Sequence, residues 1–450
     1  MKIKLISPRM SLRPMDTELK RLMSPSLALL TLASITKENT EHEVYIEDEN
    51  VKPIYLNDTP DIVGITVNVD TSYRSYEIAK LYKEKGAKII LGGIHISTNP
   101  EEAIKFADSI CIGEGVDIWL DYLKDFENNS IKKIYKSNNL SNYYNIPIIN
   151  WSFIDKSQYL YTNIITATKG CPFNCEFCYN SCKYIDKKYK VRNIDEIIKE
   201  IRSFNTKHIM FIDDNFIGDL KWTKQLIQEM KKLNIKWNAA VSTNIGENLD
   251  ILDEMESSGC QSLFIGFETL NDKTIKEINK QQNKVEYYEN TIKEIHSRNI
   301  MINASIVFGF DNDDKMVFKK TVDWLISQKI ETMTAHILTP YPCTILYEKL
   351  NNENRIINFN WNNYNTSNVV FKPNNMSANE LYRGYLWSYK YFYKFKNIIK
   401  RIPVSKKQII PFLLFNLLYR KFGKIIALLS KFKLFNKIGA LGRKLSYNIN

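Results

Sequence analysis

Three cysteines in the segment TKGCPFNCEFCYNSC have the spacing of an iron–sulfur ligand set. Cys171, Cys175 and Cys178 form the pattern C-x3-C-x2-C directly after a predicted strand. Thiolates are the soft, charged ligands that a 4Fe–4S cube requires, and one short loop can bring three of them to one cube. Such a loop leaves the fourth iron without a protein ligand, so this iron can bind a substrate or a cofactor.

Other interpretations of this loop stay open. A zinc site would favour paired C-x2-C knuckles, and the chain has no second pair. Cys182 is either a free thiol beside the loop or a fourth ligand in C-x3-C-x2-C-x3-C, and the latter would indicate an electron-transfer cluster. Cys111 is expected in the core of a strand. Cys260 and Cys343 are expected to be structural residues at the edges of elements.

The composition limits the kind of protein that can carry this loop. The chain has 450 residues, 44% of them hydrophobic, which excludes wholesale disorder and indicates several domains. No run approaches the roughly twenty apolar residues of a spanning helix, and the start MKIKLISPRM lacks the core of a signal peptide. Seven cysteines, an odd number, do not suit a disulfide framework. We therefore expect a cytoplasmic protein with reduced thiols.

The formal charge of +12 is concentrated at one end of the chain. Residues 381–450 hold 16 Lys or Arg and no acid, so the other 46 basic side chains are outnumbered by 50 acidic ones. Lys and Arg alternate there with Phe, Leu and Ile at helical spacing. This pattern is typical of an amphipathic helix at a membrane surface, and we expect no nucleic-acid partner. A packed helical cap with a solvated basic face is the alternative.

The elements before the cysteine loop predict a doubly wound, flavodoxin-like (Rossmann-type) α/β domain. Predicted strands at 2–6, 43–48, 61–67, 87–93 and 109–115 alternate with helices at 25–36, 73–85 and 101–108. Short links between them favour a parallel sheet that binds its ligand at the carboxyl ends of the strands. Glycines that allow close backbone approach lie near these ends: Gly64, Gly92, Gly93, Gly113 and Gly115.

A second alternation begins at residue 161. Its predicted strands are 162–168, 207–213, 236–242, 261–267, 301–309 and 331–338, and its helices include 193–201, 221–233, 285–296 and 315–327. Six βα units predict a partial (β/α)6 TIM-like barrel with the active site at the C-terminal ends of its strands. The predicted organisation is the first domain over 1–135, a linker over 136–160, the barrel over 161–350, a cap over 351–395 and a helical basic tail over 396–450.

A C-x3-C-x2-C loop after the first strand of a βα barrel resembles the radical S-adenosylmethionine (SAM) superfamily. Phe177, the aromatic residue before the last cysteine, fits its pattern. The resemblance implies that Cys171, Cys175 and Cys178 hold a 4Fe–4S cluster whose fourth iron binds the amino and carboxylate groups of SAM. One-electron reduction then cleaves SAM to methionine and a 5′-deoxyadenosyl radical, which abstracts hydrogen from an unactivated carbon. An electron donor such as flavodoxin or ferredoxin is the implied partner.

The resemblance also assigns SAM-binding roles at the strand ends. The chain lacks the family's common Gly-Gly-Glu and has an Asp-Asp-Asn run instead, for the amino group of SAM or for capping a helix. The acid after the fourth strand either binds the ribose hydroxyls, as the matching acid does in relatives, or pairs with a lysine of this chain. A glycine after the fifth would let backbone approach adenine. The candidate residues are Phe177, Asp213, Asp214, Asn215, Ser242, Glu268 and Gly309. His336, near the end of the sixth strand, either reaches the pocket or is structural.

Together the two domains resemble cobalamin-binding radical SAM enzymes over roughly residues 1–385. The matching runs are PSLALLTLA, DIVGITV and LGGIHISTNPEEAIKFADSICIGEG, and the glycines of the first domain are the implied cobalamin contacts. Cobalamin modules with an axial histidine carry Asp-x-His-x-x-Gly after the first strand. The region after KLISPRM has no histidine, and His42 already opens the second strand. The resemblance therefore implies base-off cobalamin without that ligand, and His95 is not expected to replace it. A domain that keeps the fold without the cofactor is the alternative.

The leading hypothesis is a cobalamin-dependent radical SAM enzyme that methylates, or otherwise modifies, an unactivated carbon. The segment FKPNNMSANELYRGY and the basic tail resemble members that act on lipids or hopanoids, so a lipid is the preferred substrate. We expect a location peripheral to the inner face of the cell membrane. Peptide or natural-product tailoring is the alternative among enzymes. A non-catalytic iron–sulfur redox or sensor protein is the alternative of another class, and it needs Cys182 as a fourth ligand.

Overall fold

The computed structural model describes residues 1–137, 146–186, 188–204 and 206–421. The strands are β1 (Lys2–Ser7), β2 (Glu43–Asp48), β3 (Ile62–Thr66), β4 (Lys88–Gly92), β5 (Ser109–Ile112), β6 (Ile134–Lys136), β7 (Ile164–Ile165), β8 (Thr168–Lys169), β9 (Lys190–Val191), β10 (His208–Phe211), β11 (Lys236–Val241), β12 (Cys260–Glu268), β13 (Met301–Phe308) and β14 (Thr332–Ile337). The helices are α1 (Leu27–Asn39), α2 (Ser72–Glu84), α3 (Ile94–Thr98), α4 (Pro100–Ala103), α5 (Gly115–Glu127), α6 (Ile194–Ser203), α7 (Leu220–Lys231), α8 (Leu249–Ser257), α9 (Asp272–Glu277), α10 (Tyr288–Ser297), α11 (Val317–Ser327), α12 (Ile345–Asn352), α13 (Ala378–Phe392), α14 (Phe395–Lys400) and α15 (Lys406–Leu413).

The first six strands form one parallel sheet in the order β2-β1-β3-β4-β5-β6. Its strands are short apolar runs such as IVGIT, buried because helices cover both faces. The predicted Rossmann-type sheet is confirmed, and β6 is an addition. The predicted helix at 101–108 is shorter than expected, since α4 ends at residue 103 and turns follow it.

The second sheet has the order β14-β13-β12-β11-β10-β7, again all parallel, as the partial barrel requires. All six predicted strands are present. The first of them is interrupted, because β7 ends at Ile165 and the chain then forms a small antiparallel hairpin of β8 with β9. This hairpin frames the cysteine loop, which leaves β8 at Gly170 and returns to β9 at Lys190.

The described part of the linker makes apolar contacts with both domains. Ile149 and Trp151 are buried in one cluster with Leu30 of α1 and Ile164 of β7. The backbone N–H of Asn150 also donates to the Ser34 hydroxyl at 2.9 Å. The cores of the two domains are therefore joined by packing near the start of the barrel.

Helix α13 covers the edge of the barrel sheet at β14. It begins with a capping box of Ser377 and Glu380. The hydroxyls of Tyr389 and Tyr393 then bind the backbone of Ala335 and Met333, each as donor and acceptor at 2.9–3.2 Å. These four bonds satisfy an edge that would otherwise expose unpaired peptide groups.

The basic segment follows as α14, α15 and a π-helical turn over Leu414–Lys421, and residues 422–450 of the predicted tail lie outside the described residues. The Arg401 guanidinium is buried and donates to the carbonyls of Ile330 and Glu331 at 2.9 and 2.8 Å. Within the described chain, none of the helices combines the length and apolar character that crossing a bilayer requires.

Candidate active site

One cavity of about 710 Å³ is bounded by residues at the carboxyl ends of the strands of both sheets. It is lined by all five glycines predicted for the first domain and by all three cysteines predicted for the cluster. Phe177, Asp214 and Glu268 also line it, whereas Asp213, Asn215, Ser242 and Gly309 are not among its lining residues. The two predicted sites are therefore two walls of a single chamber.

The glycines of the first wall differ in why they lack a side chain, as Gly93, Gly92 and Gly115 show. Gly93 has φ +109° and a Cβ there would lie 2.7 Å from the Val67 carbonyl oxygen, so its backbone conformation requires glycine. Gly92 and Gly115 have ordinary φ, and a Cβ would only reach 3.6 Å from Cys111 or Leu32. At these two positions the missing side chain leaves room in the cavity, which fits a large cofactor lying against bare backbone.

Asp213 anchors the strand that leads into the cysteine loop. Its Oδ1 accepts from the N–H of Ala167 at 2.9 Å and from the Thr168 hydroxyl at 2.7 Å, and also from the Thr168 N–H. Burial raises the pKa of the Asp213 carboxyl to about 6. Its Oδ2 is buried and without a hydrogen-bond partner among the described residues. Asp213 thus positions the loop, instead of facing the cavity as a SAM ligand would.

The thiols of the loop lie in a low-dielectric wall. Burial raises the pKa of Cys178 to about 12 and also raises the pKa of Cys171. A bound metal centre must therefore supply the positive charge that stabilises the thiolates. Among the described residues, no group of three or more His, Cys, Asp or Glu side chains is gathered so that it could hold a metal ion.

Asn215 is the member of the predicted polar run that reaches the loop. Its amide nitrogen lies 3.8 Å from Cys171 Sγ and 3.3 Å from Ser242 Oγ. Its Oδ1 is buried and has no hydrogen-bond partner in the described chain. Capping does not explain Asn215, because the cap of α7 is Asp219, which accepts from Trp222 N–H.

Glu268 ends β12 with φ +62° and forms a buried ion pair. Its Oε1 lies 3.0 Å from Lys280 Nζ, and its Oε2 accepts from the Ser305 hydroxyl at 3.2 Å. Glu268 therefore pairs with a lysine, which was the alternative to ribose binding. Both partners line the cavity, so the carboxylate remains at the site.

Gly309 follows β13 with φ +107°, and a Cβ there would lie 2.8 Å from Leu381 Cδ2 of the cap helix. Asp313 accepts the N–H groups of Gly309 and Phe310 at 2.8 and 3.0 Å, and burial raises its pKa to about 7. The glycine is thus required by the turn and by the approach of α13.

Both histidines that the sequence analysis considered are structural. His336 Nδ1 lies 3.0 Å from the Thr366 hydroxyl, and burial lowers the pKa of the imidazole to about 3. His95 is fully buried, with Nε2 3.5 Å from Glu102. Neither lines the cavity.

Cys182 is not a free thiol, and this prediction is wrong. It forms a disulfide with Cys343, which joins the end of the cysteine loop to the loop after β14. A sulfur in that bond is not a fourth cluster ligand. The electron-transfer interpretation required Cys182 as that ligand, so the structure does not support it. The expectation of uniformly reduced thiols is corrected for this pair. Cys111 is buried inside β5, and Cys260 is buried at the first residue of β12, an element edge, both as expected.

Lys280 and Gln282 line the cavity and were not selected from the sequence. They lie in the run INKQQN, between α9 and α10. Gln282 Nε2 lies 3.6 Å from Cys175 Sγ. The available signal was this run of polar residues, which can donate to thiolates and follows the fourth barrel strand.

The chain is similar to known proteins over most of its length. A family model described as the radical SAM superfamily matches residues 165–325, and a domain of unknown function, DUF4070, matches 344–413. Bacteriochlorophyllide d C-12(1)-methyltransferase of Chlorobaculum tepidum is 30% identical, covering 76% of each chain. The C-8(2)-methyltransferase of the same organism is 28% identical over 88% of this chain and 91% of its own. Hopanoid C-2 methylase of Rhodopseudomonas palustris is 23% identical over 74% and 65%.

Two solved structures share the fold. The radical SAM methyltransferase TsrM from Kitasatospora setae, with cobalamin and a 4Fe–4S cluster bound, superposes with a TM-score of 0.60 at 15% identity over 78% of each chain. The cobalamin-dependent radical SAM enzyme OxsB, with aqua-cobalamin bound, gives 0.61 at 19% identity over 78% of this chain and 55% of its own. With the cysteine loop, the two sheets and their common cavity, these similarities show that the chain belongs to the radical SAM enzymes that carry a cobalamin-binding-type domain.

Proposed function

We propose that the protein is a cobalamin-dependent methyltransferase that acts on an unactivated carbon. One observation carries the proposal: glycine-lined strand ends of the first domain and cluster cysteines of the barrel face the same cavity. A methyl carrier and a radical source held in one chamber can act on one substrate carbon without diffusing apart. Relatives named as methyltransferases support the same reaction class.

The residues present fit the groups that this reaction needs. Cys171, Cys175 and Cys178 would hold the cluster, whose chemistry when bound is reductive cleavage of SAM to a 5′-deoxyadenosyl radical. The bare backbone at Gly92 and Gly115 fits cobalamin, which when bound carries the methyl group. The protein's own contribution is to orient these groups and to keep water away from reactive carbon centres.

We propose an apolar substrate, either a lipid or a ring compound. The support is that relatives are named for bacteriochlorophyllide d and for a hopanoid. Peptide or natural-product tailoring remains the second candidate, because TsrM has been solved with a tryptophan substrate and a SAM analogue. Extracts of gene-deletion and parent cells separate the two, since loss of a methylated lipid or pigment supports the first candidate.

We also propose that the protein works at the inner face of the cell membrane, with flavodoxin or ferredoxin as electron donor. Membrane contact is supported by exposed side chains in residues 394–407 of the basic segment. Phe395, Ile399 and Val404 are 51%, 66% and 88% exposed, among the exposed lysines 394, 396, 400, 406 and 407. Apolar side chains inserted between such lysines are typical of contact with an anionic bilayer.

The reaction is tested by anaerobic reconstitution with iron, sulfide, cobalamin and SAM. Absorption spectra report both bound cofactors, and release of 5′-deoxyadenosine under reducing conditions reports SAM cleavage. We expect stoichiometric cobalamin and reductant-dependent 5′-deoxyadenosine, and Cys175→Ala should abolish only the latter. A protein that binds the cluster but no cobalamin would overturn the methyltransferase proposal.

A further inference from the structure

The connection that contains Lys280 and Gln282 is bound to the cysteine loop along its backbone. We refer to residues 278–283 as the 278–283 loop. The N–H of Glu176 donates to the carbonyl of Ile278 at 3.0 Å, and the Asn279 amide donates to the carbonyl of Asn174 at 3.1 Å. These bonds fix the 278–283 loop beside the cluster ligands Cys175 and Cys178.

The other end of the 278–283 loop is fixed to the barrel strands. The buried Asn283 donates to the carbonyls of Gly266 and Phe267 at 2.9 and 3.1 Å. The Thr243 hydroxyl lies 3.0 Å from Asn283 Oδ1 and 3.1 Å from the carbonyl oxygen of Gln282. Because both ends are held by hydrogen bonds, the side chain of Gln282 has a defined position at the cavity.

The two ends of the Gln282 carboxamide differ in what they contact. Its Nε2 donates to Cys175 Sγ at 3.6 Å. Its Oε1 is buried and has no hydrogen-bond partner among the described residues, although the residue lines the cavity. Asn215 repeats this arrangement at Cys171, with its nitrogen toward sulfur and its oxygen without a partner. A buried acceptor without a donor is costly, so a cationic or N–H group placed there would stabilise each oxygen.

We propose that Gln282 is a positioning residue with two targets: its N–H group donates to the Cys175 thiolate, and its oxygen accepts from the ammonium group of SAM. The proposal rests on the radical SAM chemistry proposed above. A hydrogen bond to a ligating sulfur withdraws charge from the cluster and favours its reduced state, so it raises the reduction potential. One side chain would then couple the ease of reduction to the placement of SAM.

The test uses the reconstituted full-length protein and the variants Gln282→Leu, Gln282→Glu and Gln281→Leu. Gln282→Leu removes donor and acceptor, whereas the nearly isosteric Gln282→Glu keeps only the acceptor. Gln281→Leu is the matched control, because Gln281 is the exposed neighbour and its amide donates to Asn279, away from the cluster cysteines. Iron content is measured first, then the midpoint potential by electron paramagnetic resonance, then SAM affinity by titration.

We expect wild-type iron content in all three variants. Both Gln282 variants should have a more negative midpoint potential, and only Gln282→Leu should bind SAM about tenfold more weakly. Wild-type potential and SAM affinity in Gln282→Leu would overturn the proposal; if that variant holds no iron, a wild-type potential in Gln282→Glu would do so. A wild-type protein that assembles no cluster would instead overturn the radical chemistry, and this inference with it.

Discussion

Nζ of Lys280 lies 3.0 Å from Oε1 of Glu268, and both side chains are buried at the end of β12. Removing one partner leaves a buried charge without compensation, which costs far more than the pair itself contributes. We expect Lys280→Met to lower the free energy of unfolding by about 3 kcal/mol, measured by urea denaturation. The double variant Lys280→Met/Glu268→Leu should recover much of this loss.

The pair between Lys284 and Glu247 provides the control for that measurement. Its nitrogen–oxygen distance is also 3.0 Å, but both side chains are about half exposed. Solvent and salt screen such a pair, so Lys284→Met should leave the denaturation curve unchanged. If Lys280→Met and Lys284→Met change the free energy of unfolding equally, burial does not make the Glu268 pair more important than the exposed one.

Cysteine substitutions should separate cluster ligands from the disulfide. We expect Cys171→Ala and Cys178→Ala to lose the cluster, because two thiolates in one loop do not hold a cube. Cys182→Ala should retain the wild-type ratio of iron to protein, since its sulfur is bonded to Cys343. Iron and acid-labile sulfide assays check both statements, and an iron-free Cys182→Ala variant would restore the four-cysteine interpretation.

A side chain added to the glycine wall should exclude cobalamin without unfolding the domain. Gly92 has ordinary φ, and a Cβ there would meet Cys111 at 3.6 Å, so Gly92→Val is compatible with β4. Its methyl groups would occupy cavity volume, and we expect cobalamin affinity to fall about tenfold or more. Spectrophotometric titration measures this, with circular dichroism and SAM cleavage as controls that should not change.

The lowered pKa of His336, caused by desolvation and by the positive charges of Arg13 and Lys20, leads to a prediction about acid stability. Its pKa is lowered to about 3 in the folded protein, whereas an unfolded histidine titrates near 6.5. The neutral imidazole therefore contributes stability that is fully present above pH 6.5 and is lost as pH falls toward 3. Between pH 6 and pH 4, His336→Gln should remove a slope of about 1.4 kcal/mol per pH unit from the unfolding free energy. Equal slopes in both proteins would show that His336 protonates freely when folded.

The exposed apolar side chains of α14 should matter for binding to vesicles. Phe395→Ser/Ile399→Ser should weaken binding to anionic vesicles severalfold, and added salt should weaken the wild-type protein in the same assay. Ile357→Ser/Phe359→Ser is the matched control, because these side chains are 55% and 58% exposed. Salt-independent binding, or equal loss in both variants, would contradict a specific membrane-facing surface.

Much of the fold was predictable because buried parallel strands are continuous apolar runs. Runs such as DIVGITV and MINASIVFG predicted β3 and β13 to within two residues. The two-residue strands β8 and β9 and the three-residue β6 are too short to show a period, so they were missed. They are defined by pairing with distant segments, which a local pattern does not contain.

The cluster ligands were predictable because three of them lie in one short loop. The 278–283 loop was not, because its place at the cluster depends on the bonds of Asn283 to residues 266–267. The disulfide of Cys182 was missed for a similar reason, since its partner is 161 residues away. Asp213 and Glu268 were selected as charged groups, but their neighbours Thr168 and Lys280 determine what they bind.

The common cavity has a consequence for anyone who wishes to divide this protein. A cut between residues 138 and 145 would give one fragment for each sheet, yet each fragment would carry only one wall of the chamber. Each would present to water a surface shaped for a large cofactor, and the cluster Leu30–Ile149–Trp151–Ile164 would be split as well. Exposed apolar surface of this kind favours aggregation. The two halves should therefore be produced as one chain, because the cavity is formed by residues of both.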